Sequence, residues 1–507
     1  MTALPLPLVP LPASVRALDA PAIIIDDDTT ASGDTDAVTT LRTLVQTRTG
    51  LRLDAQQNAT GSRIVVEIDG RGPAESYRLA AEGDGIRISA ADAAGLFYGV
   101  QTLGQLIHGA PDGWRVPAVR IDDAPRFEYR GVMLDTARHF HTVQTIEGYI
   151  DRASALKFNV LHLHLSDDQG WRLELRRRPE LTARASATAV GGDPGGFYSR
   201  EDYRRIVRHA ARRHMTVVPE FDMPGHTHAV SLAYPELNEQ PVLSDDIREA
   251  AREDGGALPE NGTAYDGMAV GFSSLRIHDA ATDDFVVDVF TELAELTPGP
   301  YLHFGGDEAL GTSSDDFAAF VARASAIIGA LGRTPIAWHE AGAADGLATG
   351  TVGQYWGYVE PVDGMDEKAR AFVRRGGRII LSPADAIYLD MKPHPDSPLG
   401  LTWARGVTSV ERAYSWEPSD VVTGLADDDI LGVEAPMWAE TVRTPDDIDA
   451  LAYPRIAAAA EAAWSPATGT RDDRTWSSFR QRVGGLGALW TTHGIRFAAS
   501  EEIPWRT

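Results

Sequence analysis

The hydrophobic pattern changes character near residue 123. Before that point, Ile64–Ile68, Glu75–Leu79 and Gly85–Ser89 alternate apolar and polar positions, as half-buried strands do. Apolar residues then recur at helical spacing from Leu96 to Ile107. Strands followed by one amphipathic helix predict a small α+β domain over residues 1–123, with a sheet covered on one face.

Beyond residue 123, short apolar segments alternate with amphipathic helices, which is the pattern of repeated βα units. Eight segments are predicted to be strands: Gly131–Arg138, Val160–Asp167, Met215–Asp222, Tyr301–Glu308, Thr334–Glu340, Thr351–Trp356, Arg378–Pro383 and Gly432–Trp438. They predict a (β/α)8 TIM barrel over residues 124–480, with residues 481–507 as a C-terminal tail packed on the barrel. A doubly wound open sheet is the alternative that this pattern leaves open. The polar stretch 241–272 is expected to be a long loop.

Nearly every predicted barrel strand ends in a polar or aromatic residue. These residues are Arg138, Asp167, Asp222, Asp307, Glu308, Trp338, Trp356 and Trp438. The C-terminal ends of the strands form the catalytic face of a TIM barrel. Cleavage of a glycosidic bond needs an acid at the leaving oxygen and negative charge near the anomeric centre. Indole faces pack against the apolar faces of a pyranose ring. The pattern therefore favours sugar chemistry, with Asp307 and Glu308 as the best carboxylate pair.

Composition excludes several other classes of function. The 507 residues include 73 acidic and 47 basic side chains, which gives a formal charge of −26, and no cysteine. A disulfide framework, a thiolate metal site and a cysteine nucleophile are therefore excluded. The acidic excess makes nucleic acids and membrane surfaces poor partners. Four prolines interrupt the apolar N-terminal segment and no basic region precedes it, so we expect no signal peptide and a soluble, cytoplasmic protein.

Five motifs carry a resemblance to one family. His303-Phe-Gly-Gly-Asp-Glu308 resembles the signature of the β-N-acetylhexosaminidases, family 20 of the glycoside hydrolases. Arg126–Phe140, Asn159–Arg172 and Pro219–His226 resemble the first three barrel strands of that family. Ala93–Leu103 resembles the helix of the small domain that precedes its barrel. The motifs occur in the same order as in the family and together span most of the chain.

The resemblance implies an exo-acting, retaining glycosidase with no cofactor and no metal. Such an enzyme removes terminal, non-reducing β-linked GlcNAc or GalNAc from an oligosaccharide or glycoconjugate. Its nucleophile is the carbonyl oxygen of the substrate's own 2-acetamido group, which attacks the anomeric carbon and gives an oxazolinium intermediate. The sequence leaves open the choice between GlcNAc and GalNAc, the natural aglycone and the oligomeric state.

The resemblance also implies catalytic roles for four residues. Glu308 is expected to be the general acid and base, with its pKa raised by the negative charge of Asp307. Asp307 is expected to orient the acetamido N–H and to stabilise the oxazolinium charge. Asp167 and His226 are expected to support the acid through a hydrogen-bond relay.

A further set of residues is implied to bind the substrate: Arg138, Trp338, Trp356, Tyr388, Asp390, Trp438 and Glu440. Arg138 and Glu440 are expected to hold the ring hydroxyls of the terminal sugar. The three tryptophans are expected to form aromatic walls around the ring and the acetamido methyl group. The hydroxyl of Tyr388 is expected to bond the acetamido carbonyl, and Asp390 to contact an outer hydroxyl.

Two other functions remain as alternatives. His162 and His164 alternate within one strand and could, with Asp167, imitate the ligand set of a barrel metallohydrolase that cleaves an amide or ester. No second histidine pair lies at the end of a later strand, and the nearest candidates, His226 and His228, lie in one loop. We therefore expect these rings to be hydrogen-bonding groups of the barrel interior. A carbohydrate-binding protein on a degenerate barrel is the third candidate, and the presence of both Asp307 and Glu308 argues against it.

Overall fold

The computed structural model describes residues 5–53, 63–111, 113–253 and 257–506. The chain divides into two compact units. The first combines residues 1–130 with 152–158 and 452–507, and the second comprises residues 131–151 and 159–451. The domain boundaries at residues 123 and 480 stay a prediction. Residues 1–4 of the N-terminal segment lie outside the described residues. Among the described helices, none combines the length and the apolarity needed to cross a membrane.

The first unit contains a mixed sheet in its described part. In spatial order its strands are Ser14–Ala17, Val119–Asp123, Tyr77–Glu82, Gly85–Ala90, Arg63–Ile68 and Thr30–Gly33. Helices Thr35–Thr49 and Ala93–Leu106 share one apolar core with this sheet. The sequence predicted the second helix and missed the first, in which threonines separate the buried Ala37, Val38, Leu41 and Val45. The remaining elements of the unit are the strands Ile23–Ile25, Gly113–Val116 and His108–Ala110 and the helices Arg455–Trp464, Trp476–Gly484 and Gly487–Thr492.

A buried ion pair joins distant segments of the first unit. The ammonium of Lys157 lies 2.8 Å from Asp123 Oδ2 and 4.5 Å from the centre of the Trp464 ring. The indole N–H of Trp464 donates to Asp123 Oδ1 at 3.0 Å, and the Tyr77 hydroxyl donates to Asp123 Oδ2 at 2.6 Å. A charge this deeply buried is tolerated only when it is paired and hydrogen-bonded. Asp123 therefore fixes three separate parts of the chain around one point.

The second unit is built on a closed parallel barrel. This confirms the predicted TIM barrel and excludes the doubly wound open sheet. In order around the barrel, its strands are Tyr129–Asp135, Val160–His164, Thr216–Glu220, Tyr301–His303, Thr334–Trp338, Val352–Tyr355, Ile379–Leu381 and Ile430–Ala435. Each strand ends before its predicted end, and the residues that follow leave the ladder. The residues singled out at the strand ends therefore lie mostly in the loops of the C-terminal face.

Helices and short turns connect the barrel strands. The helices are Val143–Ser154, Glu180–Ala185, Arg200–Arg212, His228–Ala233, Asp245–Glu253, Ala280–Leu296, Ser314–Ala330, Met365–Arg374, Ala384–Ile387, Val410–Tyr414, Pro418–Val421 and Pro445–Ala452. The 3₁₀ turns are Val190–Gly192, Pro235–Leu237, His339–Ala343 and Asp427–Asp429. The prediction of a continuous loop over 241–272 was wrong in part, because helix Asp245–Glu253 lies within it. That helix buries Ile247 against Tyr265 and Phe272 and places acidic residues in its first turn, where the helix dipole favours them.

We predict that Asp123→Ala strongly destabilises the protein. The substitution leaves the Lys157 ammonium buried without an anion, and we expect a loss of about 3 kcal/mol in the free energy of unfolding. The midpoint of urea unfolding measures the effect. Asp122→Ala is the matched control, because it removes the exposed carboxylate of the neighbouring residue. Equal midpoints for the two variants would contradict the role of the pair.

Candidate active site

The carboxyl ends of the barrel strands surround a cavity of about 340 Å³. Seven of the eleven predicted site residues line it: Arg138, Asp307, Glu308, Trp356, Tyr388, Trp438 and Glu440. The other four predicted residues do not line this cavity, but each contacts one that does: Asp167, His226, Trp338 and Asp390. The structure therefore brings the predicted set together in two layers, one facing the cavity and one supporting it.

Arg138 is held from two sides at the end of the first barrel strand. Asp135 accepts the backbone N–H groups of Ala137 and Arg138 at 2.7 and 3.1 Å. The guanidinium lies 3.3 Å from Asp135 Oδ2 and 2.9 Å from Asp167 Oδ2, and it stacks 4.8 Å from the centre of the Trp438 ring. Burial opposes its charge, but Asp167 and Asp135 outweigh that effect and raise the pKa of Arg138 well above its ordinary value. Arg138 therefore presents a fixed positive charge at the cavity wall.

His226 connects Asp167 to the two adjacent carboxyl groups. Its Nδ1 lies 3.1 Å from both oxygens of Asp167. Its Nε2 lies 3.8 Å from Glu308 Oε2 and 4.0 Å from Asp307 Oδ2. Burial opposes protonation of the ring, but Asp167 and Asp307 outweigh it and raise the pKa of His226 well above its ordinary value. The ring therefore lies between Asp167 and both cavity carboxyl groups.

Asp167 is positioned by a short hairpin. Strands Ser166–Asp167 and Gly170–Trp171 pair antiparallel, and His164 Nε2 lies 2.9 Å from Asp167 Oδ2. Burial raises the pKa of Asp167, but Arg138 and His226 outweigh it and hold the pKa well below its ordinary range. Asp167 is therefore a buried anion that orients both Arg138 and His226.

Glu308 is the titratable group best suited to donate a proton. Its side chain keeps 38% of its surface accessible from the cavity. The surrounding protein nevertheless desolvates the carboxyl group, and Asp307 adds negative charge, so the pKa of Glu308 rises to about 7 against the opposing influence of His226. Its backbone φ is 41°, in the left-handed region. Non-glycine residues held in that conformation cluster at functional sites.

Asp307 is paired with a carboxyl group that the sequence analysis left without a role. Asp222 is buried, and burial, the charge of Asp307 and a hydrogen bond to it raise the pKa of Asp222 well above its ordinary value. Asp222 Oδ1 also accepts the N–H of Gly306 at 2.9 Å. Gly305 has a φ of 74°, and a Cβ there would lie 1.7 Å from Asp222 Oδ1. Gly305 thus makes room for the carboxyl group that supports Asp307.

Trp338 is fixed beneath the cavity by a buried carboxylate. Its indole N–H donates to Glu220 Oε1 at 2.8 Å, and its ring centre lies 6.0 Å from that of Trp438. Glu220 also lies 3.1 Å from His303 Nδ1 and 2.5 Å from His164 Nδ1. Burial raises the pKa of Glu220, but these histidines outweigh it and lower the pKa well below its ordinary range. One anion therefore links the aromatic floor of the site, through His164, to Asp167.

The interior histidines form groups that resemble metal-ligand sets. His162, Glu220 and His303 are one such group, and His164, Glu220 and Asp222 are another, each with ligand atoms within 4.8 Å of one another. Burial opposes the charge of His162 and His164, but the adjacent glutamates raise their pKa values to about 9 and about 10. A protonated imidazole donates hydrogen bonds and offers no lone pair to a metal. The geometry agrees with a hydrogen-bonding role, because His162 Nδ1 lies 2.8 Å from Glu434 Oε1 and the two ring nitrogens of His164 lie 2.5 Å from Glu220 and 2.9 Å from Asp167.

The aromatic side of the cavity includes a residue that the sequence analysis missed. The indole N–H of Trp356 donates to Glu340 Oε2 at 3.0 Å. Trp403 lies with its ring centre 5.9 Å from Trp356 and 5.7 Å from Tyr388, and 45% of it is exposed. Burial, with the charge of Asp307, raises the pKa of Glu340 to about 8. The sequence offered one indication of Trp403 as a site residue, because it is a tryptophan in the polar loop that follows Pro393–Leu399.

The remaining predicted residues form the outer part of the site. Burial raises the pKa of Tyr388 well above its ordinary value, so its hydroxyl keeps its proton. Asp390 Oδ1 accepts the backbone N–H of Trp438 at 3.4 Å. Burial also raises the pKa of Glu440, although Arg138 opposes the shift. Three apolar residues complete the cavity lining and were not predicted: Met268, Val270 and Leu401.

Comparison with known proteins gives a consistent result. The family model described as the catalytic domain of glycosyl hydrolase family 20 matches residues 127–467, and that of domain 2 of the same family matches residues 6–124. The β-N-acetylhexosaminidase of Cellulomonas fimi is 39% identical over 434 residues, which cover 85% of this chain and 82% of that protein.

Solved structures are similar over nearly the whole chain. A glycoside hydrolase family 20 β-N-acetylglucosaminidase is 61% identical with a TM-score of 0.90, covering 99% of this chain and 100% of that one. A mutant Streptomyces plicatus β-hexosaminidase in complex with its product GlcNAc is 40% identical with a TM-score of 0.87, covering 99% and 98% of the two chains. The family models, the curated relative and the solved structures confirm the resemblance found in the motifs. The chain therefore belongs to glycosyl hydrolase family 20 and is a β-N-acetylhexosaminidase, a glycoside hydrolase.

Proposed function

We propose that the enzyme removes terminal, non-reducing β-linked N-acetylhexosamine by a retaining, substrate-assisted mechanism through an oxazolinium intermediate. The observation that carries this proposal is the pairing of two adjacent carboxyl groups with different surroundings. Glu308 has a pKa of about 7, whereas Asp307 faces the cavity beside the buried carboxyl group of Asp222. Two adjacent carboxyl groups, of which one is desolvated and has a raised pKa while the other faces the same cavity, are typical of an acid and a charge-stabilising partner.

Glu308 is assigned the role of general acid and base. Protonated below pH 7, it donates to the glycosidic oxygen as the bond to the anomeric carbon breaks. The resulting carboxylate then removes a proton from the water that opens the oxazolinium ring. His226, whose Nε2 lies 3.8 Å from Glu308 Oε2, keeps the carboxyl group oriented and stabilises the anion that forms in each turnover.

Asp307 is assigned to the acetamido group of the substrate. Its carboxylate accepts the acetamido N–H and turns the amide carbonyl oxygen toward the anomeric carbon. As that oxygen attacks, positive charge develops on the amide nitrogen, and the adjacent anion stabilises it. The proximity of the acetamido oxygen to the anomeric carbon supplies the rest of the rate acceleration. Tyr388, whose hydroxyl remains protonated, can donate to the carbonyl oxygen, and Trp338, Trp356 and Trp438 enclose the methyl group.

The closed end of the cavity supports exo action. Arg138 has only 4% of its side chain exposed and is fixed by Asp135 and Asp167, so it forms a rigid wall with Glu440. A guanidinium and a carboxyl group can together bind neighbouring ring hydroxyls of the terminal sugar. Asp390 is assigned to an outer hydroxyl. A chain extended beyond that sugar would have to displace this wall.

We predict that the 2-acetamido group is essential. An aryl β-glucoside that lacks it should react about 10³-fold more slowly than the aryl N-acetyl-β-glucosaminide with the same leaving group, because it has no internal nucleophile. The kcat/KM values of the two substrates measure the effect. NMR spectra recorded early in the reaction should show the β-anomer of the released sugar before the α-anomer, because the proposed mechanism retains the configuration. Comparable rates would refute substrate assistance. Loss of activity in EDTA would instead favour a barrel metallohydrolase.

We predict that kcat/KM falls as the pH rises above about 7. The active form of Glu308 is protonated, its pKa is about 7, and the proton is lost as the pH passes that value. Asp307→Asn removes a neighbouring negative charge and should move this alkaline limb to lower pH. Glu308→Gln should abolish the limb and lower kcat/KM about 10²- to 10⁴-fold on a substrate with a poor leaving group. An unchanged limb in Glu308→Gln would exclude Glu308 as the acid.

A further inference from the structure

Trp356 forms part of the boundary between two cavities. It lines the first cavity together with Asp307 and Glu308, and it also lines a second cavity of about 550 Å³. The side chain is only half-buried. Where it faces a cavity, no packed neighbour holds it in place. The orientation of the indole therefore depends on the contacts at its remaining edges.

Two neighbouring barrel strands bring Glu340 to Trp356. Trp338 and Gln354 are opposite each other in a parallel strand pair, and neighbouring strands run about 4.8 Å apart. Glu340 and Trp356 each lie two residues beyond that pair. The indole N–H of Trp356 donates to Glu340 Oε2 at 3.0 Å. The hydrogen bond therefore follows from the register of the barrel.

This hydrogen bond is the polar contact of the indole. An indole has a single donor, its N–H, and no acceptor, and in Trp356 that donor is used by Glu340. The rings of His339 and Trp403 also contact Trp356, with ring centres 5.5 and 5.9 Å away and in edge-on geometry. Aromatic pairs tolerate several arrangements, whereas a hydrogen bond is directional. Glu340 is therefore the contact that fixes how the indole is turned.

The carboxyl group of Glu340 is uncharged at neutral pH. Burial and the charges of Asp307 and Glu308 raise the pKa of Glu340 to about 8. His339 Nδ1 lies 3.3 Å from Glu340 Oε2, but it offers no opposite charge, because burial and the charge of Lys368 lower the pKa of His339 to about 3. Within the described part of the chain, no lysine or arginine forms an ion pair with Glu340.

We propose that Glu340, as an uncharged carboxyl group, is a positioning residue that holds the indole of Trp356 against the acetamido group of the substrate. This inference rests on the proposed function, because it uses the assignment of Asp307 and Trp356 to that group. The fixed indole keeps the amide oxygen close to the anomeric carbon. An uncharged carboxyl group accepts the indole N–H without placing a second anion beside Asp307.

Aryl glucosaminides that differ only in the acyl group test the proposal. The N-propionyl compound has one methylene more than the N-acetyl compound, and a fixed wall should reject it. We expect the unmodified enzyme to prefer the N-acetyl compound at least about tenfold in kcat/KM. Glu340→Leu, which removes the acceptor, should reduce this preference about fivefold, the size of one buried hydrogen bond. Glu340→Gln keeps an acceptor and should retain the preference.

Trp356→Phe tests whether Glu340 acts through the indole N–H. This variant keeps an aromatic ring and lacks the donor. The double variant Glu340→Leu, Trp356→Phe should have the same acyl preference as Trp356→Phe alone, because the hydrogen bond is already absent. Glu367→Leu is the matched control. It removes an exposed carboxyl group that pairs with Arg370 at 2.9 Å, and it should leave the preference unchanged.

The pH profile tests the uncharged state of Glu340. Glu340→Gln then replaces one uncharged group by another, so the alkaline limb that Glu308 sets at about pH 7 should not move. If Glu340 were an anion, its removal would lower the pKa of Glu308, and the limb would move to lower pH. Asp307→Asn, which does remove a charge, is the positive control for such a shift.

The outcomes distinguish this inference from the proposed function. If the unmodified enzyme has no acyl preference, or if Glu340→Leu retains it in full, the positioning role is wrong while the proposed function stands. Additive losses in the double variant would show that Glu340 does not act through Trp356, and a limb moved to lower pH in Glu340→Gln would show that Glu340 is charged. If the aryl β-glucoside without the acetamido group reacts as fast as the N-acetyl compound, the proposed function itself fails.

Discussion

The site depends on the cost of burying two carboxylates, Glu220 and Asp167, inside the barrel. Each has a fully buried side chain, and such an anion persists only when positive charge and hydrogen-bond donors surround it. Glu220 is surrounded by His162, His164 and His303. The positive charge and the hydrogen bonds that these two anions require therefore determine where the imidazole rings of the barrel interior lie.

The same bonds set the geometry of the cavity. Asp167 fixes Arg138 and His226, and His226 approaches Glu308. Glu220 fixes Trp338 beneath the cavity. His164 joins the two carboxylates, with Nδ1 on one and Nε2 on the other. Glu308, Arg138 and the aromatic floor at Trp338 are thus parts of one buried network, and a change in any member will alter the positions of the others.

Three residues of the site have left-handed backbone conformations. His226 and Glu308 have φ values of 53° and 41°, a region that costs a non-glycine residue roughly 1 kcal/mol or more. Contacts with Asp167 and with the cavity carboxyl groups hold His226 in that conformation. Gly305, at a φ of 74°, leaves the space that Asp222 occupies. The strain thus lies at Glu308, which lines the cavity, and at His226, which contacts it from behind the cavity wall.

The barrel was predictable from the sequence because its eight apolar segments and intervening helices repeat regularly. The site residues at strand ends followed from the same pattern, together with the motif around Asp307 and Glu308. Helix Thr35–Thr49 was missed because threonines dilute its apolar stripe. Asp222 and Trp403 received no role because their function depends on which loops meet across the barrel. Periodicity along the chain does not contain that information.

The central claim is that the nucleophile belongs to the substrate. The most direct test is kcat/KM for a series of aryl glucosaminides whose N-acetyl methyl group carries zero, one, two or three fluorine atoms. Fluorine withdraws electrons from the amide carbonyl oxygen and leaves the aryl leaving group unchanged. We expect a steep fall in kcat/KM with each added fluorine. A rate that does not depend on fluorination would contradict it and would require a nucleophile from the protein or from water.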